Sequence, residues 1–324
     1  MKLDRFAKFA WGVLVYNLAV IAWGAFVRAS GSGAGCGSHW PSCGGEIIPR
    51  AAPVETLIEF THRMMSGTAF LLVAGLLVWA WRAYPKEHSV RLGAVLSMVF
   101  MVTEALVGAG LVLFELVAEN DSIARALAIS VHLVNTFLLL AALSMTAWWA
   151  SGAGPVRLRG DISAWLFAVA LLGMLVLGTS GAVTALGDTL FPSGSLAQAL
   201  QEDFSATAHI LIRLRVLHPT IAVIVSVYLI VITNWISRIR QTQVVRDLGK
   251  ALILLVILQL TAGVINVFLL APIWMQLVHL LLSDAIWITL VLLAAGALSF
   301  READLRIPSL SSKAATLAKS GETH

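Results

Sequence analysis

Four histidines carry the chemistry that this sequence could perform: His62 in EFTHRMM, His132 in SVHLVNT, His218 in RVLHPT and His279 in LVHLLL. Each stands near the start of a long apolar stretch. Glu59 precedes His62 by three residues, which stacks the two side chains one turn apart on a single helix face. Ionisable groups inside apolar segments are costly and mark functional positions. Neutral imidazole ligates iron, and a haem slotted between two helices needs one histidine from each. Taken in chain order, His62 with His132 would serve one such site and His218 with His279 a second. The plainer reading of any one of them is a histidine that packs in a bundle and hydrogen-bonds a neighbour. The competing metal chemistry is a non-haem di-iron bundle, which uses Glu-x-x-His on two helices plus further glutamates. Only Glu59 and His62 have that form here. Arg215 stands three residues before His218, and the other two histidines have no such glutamate.

The contrast between Glu59 and Arg215 separates the two sites. An arginine one turn from a haem ligand can grip a propionate bidentately, so Arg215, with Arg213 beside it, is a cofactor-binding candidate. A glutamate there would repel propionates but could donate or accept a proton, which makes Glu59 the catalytic candidate. Its plainer role is a carboxylate at the helix mouth paired with Arg63. The two cysteines, Cys36 and Cys43, lie in GCGSHWPSCGG. On an oxidising side of a membrane they are expected to form a disulfide, either a loop staple or a redox-active pair. Zinc or copper on Cys36, Cys43 and His39 is the alternative and lacks a fourth ligand. Asn135 and Thr136 follow His132 and either orient a ligand or bond across helices. Asp284 needs a partner, while His88, His209 and His324 receive no role.

The elements that must hold these groups follow from composition. Of 324 residues, 59% are hydrophobic and 12% charged, with mean hydropathy +0.87. Soluble domains carry roughly twice that charge, so the chain is an all-α integral membrane protein. Eight stretches reach the roughly 20 residues a bilayer crossing needs. They lie near 9–28, 57–81, 92–114, 123–149, 162–185, 212–236, 248–270 and 273–299, the last two joined by a tight turn at Ala271 and Pro272. The first is read as a span rather than a cleaved signal peptide, and the start carries no presequence of the mitochondrial kind. With the N-terminus inside, sixteen Lys and Arg residues fall on the cytoplasmic side and six outside, Arg28, Arg50, Arg63, Arg125, Arg213 and Arg215. That bias puts both termini in the cytoplasm of a bacterial plasma membrane protein. The basic residues sit at segment ends, a pattern of membrane topology and not of nucleic-acid binding. From residue 301 to 324 the chain is polar and expected to be disordered.

The two halves also echo each other. Val131-His132-Leu133 matches Val278-His279-Leu280, and LVGAG at 106–110 resembles LTAGV at 260–264, with Glu104 and Gln259 just upstream. Four crossings per half give both halves the same orientation, a parallel repeat of two tandem four-helix bundles. The bundles are expected over 1–150 and 151–300.

With those residues assembled, the chain resembles the haem A synthase family across nearly its whole length. The resemblance rests on VRASGSGAGC and WPSC after the first span, EFTHR, VHLVNT, GDTLFP, RLRVLHP and LVHLLLSDA. It implies two tandem four-helix bundles and oxidation of the C8 methyl of haem O to a formyl group. It further implies that His218 and His279 are the axial ligands of a haem b cofactor. His62 and His132 match the histidines of the substrate half, Glu59 an essential glutamate, and Cys36 and Cys43 an outer-loop pair. The partners implied are haem O synthase and a membrane electron donor, and a homo-oligomer is compatible. Two departures stand out. The loop between the fifth and sixth spans has no cysteines, and His39 occupies a position that is often acidic. A bis-histidine di-haem cytochrome for electron transfer is the alternative function, and a transporter built on the repeat is a third.

Overall fold

The computed structural model describes residues 3–50, 52–156, 162–205 and 207–299. The expected disordered tail, with Arg157 and Arg159, lies outside the described residues. Ten α-helices occur among them: α1 Arg5–Ala29, α2 Val54–Ala83, α3 Ser89–Leu113, α4 Ile123–Ala150, α5 Ile162–Leu190, α6 Leu196–Asp203, α7 Ile210–Leu214, α8 Leu217–Ile239, α9 Gln243–Phe268 and α10 Ile273–Leu298. Eight helical stretches, with α7 and α8 counted as one, are long and apolar enough to cross a membrane. The chain is a multi-pass membrane protein.

Polar caps carry the helices past their apolar runs. Asp4 accepts from the Ala7 amide at 2.7 Å, so α1 starts four residues ahead of the expected 9–28. Thr242 likewise accepts from Val245 and starts α9 at Gln243 rather than 248. A side-chain oxygen at the N-cap satisfies an amide that the helix itself leaves unpaired. Pro272 caps α10, and the turn before it puts Leu270 and Ala271 in the left-handed region, with φ of 57° and 54°. The sixth crossing departs from expectation because it breaks at Arg215 and Val216 between α7 and α8. Pro219 supplies the cause: its ring clashes with the carbonyl four residues back, that of Arg215, and it offers no amide hydrogen.

α1, α4, α5 and α10 pack against one another at the centre, α2 and α3 flank one side, and α8 and α9 flank the other. The largest buried side chains sit on this inner set and its neighbours, among them Phe137, Leu140 and Leu143 on α4, Phe167 on α5 and Leu290 on α10. Trp287 of α10 stacks on Phe137 of α4 with ring centres 4.9 Å apart, and its indole donates to the Phe137 carbonyl at 2.6 Å. Large apolar side chains face outward on the flanking helices, including Leu71, Leu92, Leu106, Val223 and Leu254. Facing lipid, that surface needs no further cover.

Arg28 ties the inner set together at one end. It donates to the Ala185 carbonyl and to Thr189 on α5, both at 2.7 Å, and to Gln276 on α10 at 2.9 Å. Arg28 closes α1 while Gln276 opens α10, so the start of α1 and the end of α10 lie together at the opposite end.

Candidate functional site

All four histidines gather at the end marked by Arg28, each seated against a glycine of the preceding membrane helix. A Cβ placed on Gly24 of α1 would lie 2.8 Å from His62 Cε1, and one on Gly181 of α5 would lie 3.0 Å from His218 Cε1. The same test gives 3.2 Å between Gly263 of α9 and His279, and an ordinary contact of 3.8 Å between Gly108 of α3 and His132. At the first three positions any larger residue would push the imidazole aside. The spacing also corrects the match between the halves. Glu104-x-x-x-Gly108 corresponds to Gln259-x-x-x-Gly263, one residue away from the alignment of LVGAG with LTAGV.

His218 and His279 face each other with ring centres 6.3 Å apart and planes at 80°. Two imidazoles on opposite sides of one metal ion, each with a metal–nitrogen bond of about 2 Å, have ring centres roughly 6 Å apart. His62 and His132 are close enough to interact electrostatically. The Nδ1 atoms of His62 and His279 are buried without a hydrogen-bond partner among the described residues, and His132 Nδ1 faces Glu104 at 3.6 Å, which leaves its Nε2 for a ligand. Ser180 lies 3.0 Å from His218 Nδ1, which leaves its Nε2 for a ligand. Gln259 lies 3.2 Å from His279 Nε2. Orphaned imidazole nitrogens and glycine seats fit histidine ligation of haem, and the 6.3 Å spacing of His218 and His279 fits one metal ion between them. Among the described residues no three His, Cys, Asp or Glu side chains converge as a metal cluster.

Glu59 makes the pair with Arg63 that its plainer reading gave it. It is 3% exposed and turned toward the cysteine loop. Its Oε2 accepts from the Cys36 amide at 2.8 Å, and its Oε1 takes Arg63 Nη2 at 2.5 Å and Nε at 3.2 Å. Arg63 also donates to the His39 and Ser42 carbonyls. His39 thus enters through its backbone. The i,i+4 partner wins because a buried carboxylate needs a countercharge. Gly35 lets the loop lie directly on α2, since a Cβ there would meet the Glu55 carbonyl at 2.5 Å. Cys36 and Cys43 lie side by side at disulfide distance, 1.98 Å between sulfurs. That arrangement leaves no thiolates for zinc or copper.

Arg215 is likewise committed. The expected propionate grip meets a guanidinium already surrounded by carboxylates: Asp188 at 3.0 Å, Asp203 at 3.0 Å and Glu202 at 3.9 Å. Burial holds the Asp203 carboxyl above its ordinary range, with Arg215 opposing the shift. Arg213 is exposed on the other face of α7. Asp284 is fully buried on α10, and both its carboxylate oxygens lack a partner among the described residues.

Sequence reasoning treated Glu104 only as a marker of the repeat. The structure brings it to His132: its Oε1 lies 3.6 Å from His132 Nδ1. Asn135 and Thr136, both buried, donate to its two oxygens. The signal was present, because Glu104 is the one acidic residue in the 92–114 apolar stretch.

Residues 7–291 match the model of the COX15-CtaA family, described as cytochrome oxidase assembly protein. The chain belongs to that family. Among cytochrome oxidase assembly proteins and their relatives, it is 30% identical over 257 residues to a protein of Shouchella clausii named "Heme A synthase", covering 76% of this chain and 81% of the relative. A second "Heme A synthase", from Geobacillus kaustophilus, is 28% identical over 304 residues, covering 92% and 93%. A Thermus thermophilus protein named "Protoheme IX farnesyltransferase" is 56% identical over 297 residues, covering 91% of this chain and 49% of that one. The chain spans about half the length of its Thermus relatives.

Proposed function

We propose that this chain is a haem A synthase, a membrane oxidoreductase that converts the C8 methyl of haem O to a formyl group for terminal oxidases. The observation that carries the reading is the set of four imidazoles, paired at one end of the bundle and each seated on a glycine. Relatives named heme A synthase in the same family support it. The repetition of glycine seat and histidine supports two tandem four-helix bundles, one over 1–150 and one over 151–300. The bias of sixteen Lys and Arg residues to six supports a cytoplasmic location for both termini.

In this reading His218 and His279 hold haem b in the second bundle. His62 and His132 receive haem O in the first, where its farnesyl tail reaches lipid between the helices. A methyl C–H is too inert for acid–base chemistry, and bound haem supplies the redox chemistry that no side chain here can. Two successive hydroxylations of the methyl, each taking one oxygen atom from O2 while two electrons and two protons reduce the other to water, give a geminal diol, which loses water to the aldehyde. The chain's part is to orient the macrocycle through its imidazoles and to cover it with the cysteine loop. Glu59 retains one open acceptor position beside the three bonds it makes, enough to pass a proton or steady positive charge. Arg215 positions its end of α7 through Asp188 and Asp203, while exposed Arg213 is the freer cation for a propionate.

A relative named for farnesyl transfer to protohaem, about twice this chain's length, supports haem O synthase as a partner that supplies the substrate. A membrane electron donor must complete the cycle.

Extraction of haems from the purified protein tests the reading. Haem B together with haem O or haem A is expected. Two equivalents of haem B and no other haem would make the chain a di-haem cytochrome, and no haem at all would leave the transporter. The cysteines are expected to be oxidised to each other, so thiol labelling of the folded protein without reductant should modify neither; modification of both would dismiss the disulfide.

A further inference from the structure

The two histidine pairs differ in one charged group. On α3, Glu104 is held by α4, the helix that carries His132. Asn135 donates to Oε2 at 2.5 Å and Thr136 donates to Oε1. Asn135 is fixed in turn, because its amide also donates to the Phe100 carbonyl at 2.9 Å and its oxygen accepts from Thr103 at 2.5 Å. Both carboxylate oxygens therefore meet donors, as an ionised carboxylate requires. What remains of Oε1 faces His132 Nδ1 at 3.6 Å, an ion-pair separation. That nitrogen has no other partner among the described residues. At the corresponding place on α9 the chain carries Gln259, whose neutral amide lies 3.2 Å from His279 Nε2 and leaves Nδ1 as that ring's open nitrogen.

We propose that Glu104 is a positioning residue that gives His132 an anionic partner and thereby makes the two haem sites electronically unequal. The inference rests on the haem reading above. A carboxylate held beside the Nδ1 of a ligating imidazole stabilises positive charge on the ring and raises its basicity. A more basic axial ligand favours ferric over ferrous iron, so an anion beside the ligand lowers the reduction potential of the site it serves. A neutral amide lacks that charge. The first-bundle haem is therefore poised below the potential it would have with an amide partner, whereas the second-bundle haem has the amide. The network around Glu104 supplies the rigidity: Asn135 and Thr136 hold the carboxylate, and Thr103 with the Phe100 carbonyl holds Asn135.

The test is a spectroelectrochemical titration of purified holoprotein supplied with haem O. His62→Ala and His279→Ala identify which wave belongs to which bundle. Glu104→Gln reproduces the second-bundle arrangement in the first. It is expected to raise the first-bundle potential by about 59 mV, a tenfold change in the ferric-to-ferrous ratio for one electron, and to leave the second wave in place. Gln259→Glu is expected to lower the second-bundle potential by a similar amount. An unshifted first wave in Glu104→Gln with both haems bound overturns the proposal. Should Glu104→Gln lose its first-bundle haem, Gln259→Glu decides alone, and an unmoved second wave there also overturns it. Absence of haem from the unmodified protein would instead remove the haem reading itself, a failure visible before any variant is made.

Discussion

Replacing His218 or His279 with alanine should strip haem b from the protein and leave the protein in the membrane. The two rings stand 6.3 Å apart across the gap between α8 and α10. Each would supply one of two axial bonds to a single iron. Loss of an outer hydrogen-bond partner alone costs about 10–100-fold in metal affinity, so loss of a direct ligand should cost on the order of tenfold at the least. The fold should survive, because neither histidine belongs to the apolar core around α4 and α10. Haem b per protein, read from the reduced pyridine spectrum, should fall in both variants. His62→Ala should leave that signal intact and affect only substrate haem. Full haem content with an unshifted reduced spectrum in both His218→Ala and His279→Ala would remove the assignment.

The eight crossings and the histidine pairs were legible because each rests on a strong local signal. A bilayer demands long apolar runs, and a histidine inside one is conspicuous. What escaped was set by groups that act at a distance in sequence. Glu59 and Arg63 are one helical turn apart, and that pairing was foreseeable, but the Cys36 amide that completes it lies 23 residues away. Arg28 reads as one of six outer basic residues, yet its partners lie on α5 and α10, in the other half of the chain. Arg215 was assigned a propionate from spacing alone, whereas Asp188 and Asp203 reach it only because the chain breaks above Pro219. α6 is eight residues long and buries none of its side chains, so no apolar periodicity announced it. Asp284 presents the reverse case. The sequence requires a partner for it, and the described residues supply none.

The asymmetry between the bundles links these observations to chemistry. In the second bundle the charges lie away from the imidazoles, in the cluster of Arg215 with Asp188 and Asp203, and the nearest groups to the rings are Ser180 and Gln259. Around the first pair carboxylates approach from two sides: Glu104 lies 3.6 Å from His132, and Glu59 accepts from the Cys36 amide of the cysteine loop. Neutral surroundings suit a retained cofactor. Fixed negative charge suits a site where positive charge or protons must be handled.

Glu59→Gln should lower haem A output on the order of a hundredfold or more, with second-bundle haem unchanged. The pair with Arg63 is buried, with side chains 4% and 9% exposed. Removing one charge of such a pair costs about 3–5 kcal/mol because the other is left uncompensated. A rate loss in the single variant could thus come from a displaced cysteine loop rather than from lost chemistry. The double variant Glu59→Gln/Arg63→Gln separates the two causes. It removes both charges, so no uncompensated guanidinium remains to pull on the His39 and Ser42 carbonyls. If Glu59 only clamps the loop, the double variant should recover most of the activity that Glu59→Gln lost. If its open acceptor position moves protons or steadies charge on the substrate, the double variant should stay as slow as the single one, with haem O persisting among the products. The second outcome is the expected one. Recovery of haem A output in the double variant would reduce Glu59 to a strut for the loop.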